Sequence, residues 1–265
     1  MVSFTRKTLT EKAVFEGPGL HSGAPTKVTV HPAEGGIVFR KAGSSWQAIP
    51  ENVTDSSRCT RLGEVSTIEH LVSAFAGLGV TDAVVEVEGD ELPAMDGCAF
   101  AFCEAMSPLT EIGTATVTGP FERVFYHEGD VKIAIGNGDG HWRYEFECGE
   151  RWPGSQHFEF RFTDDYKRQV APARTFAFEE ELPMIKKNGL GKGLDEKSAF
   201  VIGGSSYVHE TRFPDEPARH KMLDLIGDLY LSGVPPQFLN VVAQRSGHRT
   251  NVEAAKKLRE HVAFS

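Results

Sequence analysis

The segment DEPARHKMLDLIGDLYLSG (215–233) contains the clearest helical pattern of the 265-residue chain. It opens with Asp and Pro, which are common at helix starts, and closes with Gly, which commonly follows the last turn. At about 100° per residue, His220, Asp224 and Asp228 fall within about 80° of one another. The opposite side is apolar and includes Leu225 and Leu229. We therefore predict a helix that packs with one face and presents a histidine and two carboxylates on the other.

Two interpretations of the polar face stay open. A histidine and a carboxylate at i and i+4 can reach one metal ion, so His220 and Asp224 are candidate ligands. The same spacing is common by chance on solvated polar stripes. The His220 and Asp224 pair alone does not distinguish a metal site from a solvent-exposed polar surface.

A second helix is predicted over STIEHLVSAFAGLG (66–79), which ends in glycine. His70 in this segment offers a third ligand, and catalytic zinc sites commonly use three protein ligands plus an open position. Glu69 has two interpretations. It is a candidate base beside the metal, or it closes an S-x-x-E capping box with Ser66 and only fixes the helix start.

Two further histidines lie in turns. The segment 238–261 is predicted as strand, turn and helix, with His248 in the turn and a possible capping box from Thr250 to Glu253. His248 titrates near neutrality and suits a general acid, although loop histidines are more often plain surface residues. His21 lies in the glycine-rich segment GPGLHSG (17–23), where backbone can approach a ligand closely.

The remaining pattern predicts two α+β sandwich domains, because strands and helices interleave without regular βαβ alternation or a GxGxxG turn. A segment rich in Ser, Thr, Gly and Pro (107–120) is the predicted linker region. We place the first domain at 1–112, the linker at 113–120 and the second domain at 121–265. Other predicted strands are 27–32, 37–40, 83–89, 141–148 and 157–162, and other predicted helices are 97–106, 179–188 and 251–261.

Composition limits the class of protein. Hydrophobic residues make up 40% of the chain, enough for substantial cores, and the four cysteines form no CxxC pair, so we expect reduced thiols. A net charge of −9 without a basic face argues against nucleic-acid binding. The N-terminus lacks the apolar core of a signal peptide, and no long apolar run predicts a membrane span. We expect a cytoplasmic protein.

Taken together, the motifs resemble those of the zinc-dependent UDP-3-O-acyl-N-acetylglucosamine deacetylases of bacterial lipid A synthesis. Any one of them is weak, but seven in sequence order are hard to obtain by chance. The matching segments are GLHSG (19–23), STIEHLVSAFAGLG (66–79), LPAMDG (92–97), APARTFAF (171–178), GLGKG (189–193), RHKMLDLIGDL (219–229) and SGH (246–248).

The resemblance implies a role for each matching position. His70, His220 and Asp224 would bind zinc, and Glu69 would be the general base. Further implied roles are those of His248 as general acid, Asp228 as its orienting partner, Thr175 in oxyanion stabilisation, Phe176 in packing against the substrate, and Lys221 as a positive charge beside the metal. His21, in its glycine-rich turn, is a further candidate for substrate binding.

The resemblance also implies a duplicated fold of two α+β domains with the zinc at their junction, acting on an acylated nucleotide sugar. We expect a monomer. Two departures concern the substrate: residues 194–197 (LDEK) replace a GGSL-type stretch in the region of the acyl passage, and CGERWPGSQ (148–156) replaces a more apolar pattern. The alternatives are a related zinc deacetylase of another N-acetylated sugar or small amide, and a catalytically silent sugar-nucleotide-binding homologue.

Overall fold

Two five-stranded sheets with the same strand order dominate the computed structural model, which describes residues 1–118 and 123–265. The earlier elements are β1 (Val2–Leu9), β2 (Ala13–Pro18), β3 (Pro25–His31), β4 (Ile37–Lys41), β5 (Ser44–Gln47), β6 (Val53–Asp55), β7 (Arg61–Leu62), α1 (Glu69–Leu78), β8 (Ala83–Glu88) and α2 (Phe100–Ala105). The later elements are β9 (Leu109–Thr118), β10 (Val124–Glu128), β11 (Val131–Asn137), β12 (His141–Glu147), β13 (Ser155–Arg161), α3 (Tyr166–Gln169), β14 (Thr175–Phe178), α4 (Leu182–Lys187), β15 (Ala199–Ile202), α5 (Glu216–Tyr230), β16 (Leu239–Gln244), α6 (His248–Glu260) and β17 (Ala263–Phe264).

The two sheets repeat one topology. Their strand orders are β2-β3-β8-β4-β5 and β10-β11-β16-β12-β13. In each sheet the third and fourth strands in this order pair parallel, and the other neighbours pair antiparallel. Each central strand, β8 or β16, follows one helix, α1 or α5, and precedes another, α2 or α6. The predicted α+β class and the duplicated architecture are thus confirmed, although the sequence carries no repeat strong enough to detect.

Alternating side chains explain why these strands face a core on one side. In β3, Val28 and Val30 are buried between more exposed neighbours, and in β12 Trp142, Tyr144 and Phe146 alternate in the same way. This period of two is the signature of a half-buried strand.

Helices α1 and α5 pack closely against each other, and α5 also packs on β12, β13 and α6. Gly227 allows the close approach, because a Cβ atom there would lie only 2.2 Å from the Glu69 carbonyl oxygen. The Ser73 hydroxyl of α1 adds a hydrogen bond of 2.8 Å to the Leu223 carbonyl of α5. The polar face of α5 is therefore buried as well as the apolar face. His220, Asp224 and Asp228 are each at most 3% exposed.

Most of the predicted linker region is a strand in the structure. Residues 109–118 form strand β9, which pairs with β1 and β17 in a three-stranded sheet. Its alternating Thr-x-Thr-x-Thr character from Thr114 to Thr118 suits a strand better than a linker. The last two positions of the predicted linker, 119 and 120, lie outside the described residues. The domain boundaries stay a prediction.

Neither of the two possible capping boxes forms. Helix α1 begins at Glu69 rather than at residue 66, because Ser66 bridges to Glu91 as a strand would and Thr67 has a positive φ of 60°. Helix α6 begins at His248, and the Thr250 hydroxyl accepts from the Gly247 N–H. Helix α2 is shorter than predicted, at Phe100–Ala105.

All four cysteines are free thiols, as predicted, and three of them are buried. Among the described residues, no helix is both long enough and apolar enough to cross a membrane.

Candidate metal and catalytic site

A cavity of about 270 Å³ lies where α1, α5, β14 and the start of α6 meet the loop that follows β2. Every predicted site residue except Asp228 lines it. These residues are His21, Glu69, His70, Thr175, Phe176, His220, Lys221, Asp224 and His248. Asp228 lies behind His248, one turn of α5 beyond Asp224. The structure therefore brings together residues that are up to 227 positions apart in the chain, from His21 to His248.

Three buried groups converge as a metal site would require. The Oδ1 atom of Asp224 lies 3.7 Å from His70 Nε2 and 3.5 Å from His220 Nε2. All three ligand atoms lie within 4.8 Å of one another. The spacing of His220 and Asp224 on one helix face, together with the position of His70 at the start of α1, produces this cluster.

Both imidazoles of the cluster are neutral. Burial, the neighbouring His220 ring and the charges of His248 and Lys221 lower the pKa of His70 to about 3, and burial likewise lowers the pKa of His220. The Nδ1 atom of His220 lies 3.0 Å from the Ala173 carbonyl oxygen, so Nδ1 carries the proton and Nε2 keeps its lone pair toward the cluster.

Asp224 keeps one oxygen available. Its Oδ2 accepts from Lys221 Nζ at 2.8 Å, while Oδ1 is buried without a hydrogen-bond partner among the described residues. Burial works to raise the pKa of Asp224, but His220 and Lys221 outweigh it and hold that pKa well below its usual range. A buried anionic oxygen without a partner is costly, and a cation at this point would remove the cost.

Glu69 stands beside the cluster and does not cap its helix. Its Oε2 accepts the Thr60 N–H at 3.0 Å, and its Oε1 lies 3.8 Å from His248 Nε2. Burial raises the pKa of this carboxyl, since desolvation disfavours the charged form more than His248 favours it.

His248 is held in place by Asp228. Their Nδ1 and Oδ2 atoms lie 3.0 Å apart, and Asn251 Nδ2 donates to the same Oδ2 at 3.0 Å. The Thr60 hydroxyl donates to the other oxygen of Asp228. Burial lowers the pKa of His248, but the negative charges of Asp228, Asp224 and Glu69 outweigh burial and raise it above the ordinary value.

The cavity has an apolar wall opposite the polar cluster. Phe176 packs edge-on against His220 with ring centroids 6.1 Å apart, and it contacts Phe200 across the β14–β15 pair. The remaining apolar lining comes largely from α4 and the loop after it: Leu182, Ile185, Leu190 and Leu194. The cavity therefore combines a polar, ionisable end with an aliphatic end.

The two departures from the family pattern lie mostly away from this cavity. Of residues 194–197 only Leu194 lines it, while Asp195 accepts from the Lys197 and Ser198 N–H groups. In 148–156, Trp152 packs on Tyr207 outside the cavity lining. Neither departure removes a polar group of the site.

Sequence reasoning missed three residues. Thr60 connects Glu69 and Asp228, Asn251 supports Asp228, and Arg58 lines the cavity. No sequence motif marks Thr60 or Arg58, although Glu69 lies only nine positions after Thr60. Asn251 carries a weak signal, because it lies one helical turn after His248.

The chain is similar to known proteins over most of its length. The family model for LpxC, UDP-3-O-acyl N-acetylglycosamine deacetylase, matches residues 6–260. Three relatives named UDP-3-O-acyl-N-acetylglucosamine deacetylase cover nearly the whole chain. They come from Aquifex aeolicus (strain VF5), 36% identical over 95% of this chain and 92% of the relative; from Chlamydia muridarum (strain MoPn / Nigg), 32% identical over 100% and 98%; and from Myxococcus xanthus (strain DK1622), 33% identical over 97% and 87%.

Proposed function

The chain belongs to the UDP-3-O-acyl-N-acetylglucosamine deacetylase family, and from that membership we propose how its residues carry out the reaction. The protein hydrolyses the acetamide of UDP-3-O-acyl-N-acetylglucosamine and releases acetate in lipid A biosynthesis. Acetamide hydrolysis requires an activated water, an acceptor for its proton and a donor for the leaving amine.

We propose that His70, His220 and Asp224 hold a single zinc ion. Two neutral imidazoles and one carboxylate are an established ligand set for catalytic zinc. The unpartnered Oδ1 of Asp224, between the two Nε2 atoms, is the observation that carries this proposal. When bound, zinc supplies a lowered pKa for a bound water and a polarised acetyl carbonyl.

Glu69 is the proposed base. Its carboxyl is anchored through Oε2 to the Thr60 N–H, so Oε1 is left to face the cavity and the attacking water. Its burial makes it a stronger proton acceptor than an exposed glutamate, which suits removal of a proton from water.

His248 is the proposed acid for the leaving amine. Asp228 orients its ring through Nδ1, which leaves the Nε2–H directed toward Glu69 and the cavity. The surrounding carboxylates keep the imidazole protonated, as a proton donor must be before the C–N bond breaks.

Lys221 and Thr175 are the proposed partners of the acetyl oxygen as it gains negative charge. The Lys221 ammonium remains charged despite its partial burial, because Asp224 raises its pKa. The Thr175 N–H is bound to the Gly97 carbonyl at 2.9 Å, so the hydroxyl is the group left for the substrate.

Phe176 and His21 are the proposed substrate contacts on the two sides of the polar cluster. The Phe176 ring offers an apolar surface for the sugar, and the aliphatic end of the cavity suits an acyl chain. The Nδ1 atom of His21 is buried and has no partner within the described part of the chain, so it is free for a substrate oxygen.

We also propose that the protein acts as a monomer in the cytoplasm. All the proposed groups come from one chain, so no second copy is needed to complete the site. The nucleotide-sugar substrate favours the cytoplasm. Light scattering of the purified protein and fractionation of its native cells test these two points.

The direct test is acetate release from UDP-3-O-acyl-N-acetylglucosamine by purified protein that has been stripped of metal and then reloaded with zinc. Activity that depends on zinc is expected. Activity only on other N-acetylated sugars would identify a related deacetylase, and tight binding without acetate release would identify a silent sugar-nucleotide-binding homologue.

A further inference from the structure

Glu91 is a buried carboxylate that the proposed mechanism does not use. It is 4% exposed and lies just after β8. Its Oε1 accepts the His21 N–H at 2.7 Å and the Thr67 hydroxyl at 2.8 Å. Its Oε2 accepts the Ser22 N–H at 2.9 Å and the Ser22 hydroxyl at 2.7 Å. Four neutral donors therefore hold one carboxylate between two segments that both line the catalytic cavity.

The first segment is the glycine-rich loop that carries His21. A Cβ atom at Gly19 would lie 2.6 Å from Glu91 Oε2 and 2.5 Å from the Ser22 hydroxyl oxygen. The loop therefore packs directly against the carboxylate. Its main chain at residues 21 and 22 is held by the two N–H groups that donate to Glu91. The direction of the His21 side chain follows from that main chain.

The second segment is the entry to α1. Thr67 has φ of 60°, a conformation that is strained for a β-branched residue. Its hydroxyl bond to Glu91 holds it there. The next residue, Ile68, donates its N–H to Thr60, and Glu69 and His70 then open the helix. The backbone turn at Thr67 thus determines where helix α1 begins and so where Glu69 and His70 lie.

We infer that Glu91 is a positioning residue for the deacetylation: its carboxylate fixes Thr67 in its strained conformation and the His21 loop in its closed conformation, and so sets Glu69, His70 and His21 around the substrate. The inference rests on the proposed function, since it concerns the same site. Glu91 itself lies outside the cavity lining, so we assign it to positioning rather than to contact with the substrate.

The first test is Glu91→Gln, which keeps the shape of the side chain but places an amide N–H₂ where an oxygen accepts two donors. We expect kcat on UDP-3-O-acyl-N-acetylglucosamine to fall about 10- to 100-fold, the usual result of a small misplacement of reacting groups. Thermal unfolding fixes an assay temperature at which the variant is fully folded. The matched control is Glu88→Gln, an exposed glutamate three residues earlier, which should keep wild-type kcat.

The second test separates positioning from a loss of stability. Thr67→Ala removes the hydroxyl that reaches Glu91, whereas Thr67→Ser keeps it, so kcat should fall in the first variant and stay near wild type in the second. Glycine adopts a positive φ without strain. Adding Thr67→Gly to Glu91→Gln should therefore recover part of the lost kcat at a temperature where both proteins are folded.

These variants keep the inference testable even if Glu91→Gln does not fold, because the Thr67 pair then decides it. Wild-type kcat in Glu91→Gln, or equal kcat in Thr67→Ala and Thr67→Ser, would overturn the role of Glu91. No acetate release by the wild-type protein would instead overturn the proposed function, and the two failures are therefore distinct.

Discussion

His248 and Asp228 are joined by a hydrogen bond of 3.0 Å between Nδ1 and Oδ2, and this bond connects the first residue of α6 to the polar face of α5. The negative charge of Asp228 is the largest of the effects that raise the pKa of His248. In the proposed mechanism, the bond both orients the acid and keeps it protonated.

Asp228→Asn should lower the pKa of His248, because the amide removes a negative charge at hydrogen-bond distance. The basic limb of the pH profile of kcat/KM should move to lower pH, and the rate at neutral pH should fall by up to about 10²–10⁴-fold. The measurement is kcat/KM from pH 5 to 10. An unmoved basic limb would mean that His248 is not the acid.

His220→Ala should lose metal, since it removes one of the three proposed ligands. We expect the wild-type protein to bind about one zinc per chain and the variant to bind far less at moderate chelator concentration. Elemental analysis measures both. The control is His127→Ala, at an exposed histidine of β10. Full zinc occupancy in His220→Ala would show that the ligand assignment is wrong.

Glu69→Gln should keep the fold and the zinc but lose about 10²–10⁴-fold in kcat. The glutamine oxygen can still accept the Thr60 N–H, whereas the amide cannot accept a proton from water. Zinc content, circular dichroism and acetate release together make the measurement. Turnover near the wild-type rate would leave Glu69 with a structural role only.

Gly227→Ala should destabilise the protein by about 3 kcal/mol or more, because the added Cβ would meet the Glu69 carbonyl at 2.2 Å and push α5 away from α1. Denaturant unfolding measures the loss. Gly204→Ala is the control, because a Cβ there would meet no atom within 4 Å. Equal stabilities of the two variants would contradict the close packing described for these helices.

Asp82→Asn should destabilise the protein at pH 7 by about 1–3 kcal/mol, because it weakens the hydrogen bonds of a buried carboxylate that is paired with a partly exposed arginine. Asp82 accepts from Arg6 Nε at 3.1 Å and from the Gly35 and Gly36 N–H groups at 2.8 and 2.7 Å. Burial raises its pKa, but these bonds outweigh burial, and the net pKa is below the usual value.

The sign of the pH effect follows from that direction. A carboxyl with a depressed folded pKa stabilises the protein above its unfolded pKa of about 3.9, and this contribution is lost as the pH falls toward the folded pKa. The difference in unfolding free energy between wild type and Asp82→Asn should therefore be constant near pH 7 and shrink below about pH 4. A difference that does not change with pH would contradict this assignment.

The part of the proposed site that lies on a single helix, α5, is well predicted from the sequence. The spacing of His220, Asp224 and Asp228 determines their common face, and the structure has them together on α5. The sequence pattern is misleading about exposure, because polar residues at helical spacing normally indicate a solvated face. Here that face is buried against α1, which only the packing around Gly227 reveals.

Tertiary contacts account for what the sequence could not provide. The S-x-x-E pattern at Ser66 favours a cap, but the strand-like pairing of Ser66 with Glu91 prevents it and frees Glu69 for the site. Thr60 reaches Asp228 across 168 positions, and no local pattern predicts such a contact. The duplicated sheet order was implied only by the family resemblance, because no repeat in the sequence marks it.

The matching sheet orders also bear on ancestry. Helices α1 and α5 occupy the same place in the two repeats, and they face each other at the centre of the molecule. A half-length ancestor would have formed such a helix pair only by associating with a second copy of itself. Duplication and fusion of one gene would account for a chain in which one repeat bears Glu69 and His70 and the other bears His220 and Asp224. Neither repeat holds all four of these groups, so the proposed chemistry requires both repeats.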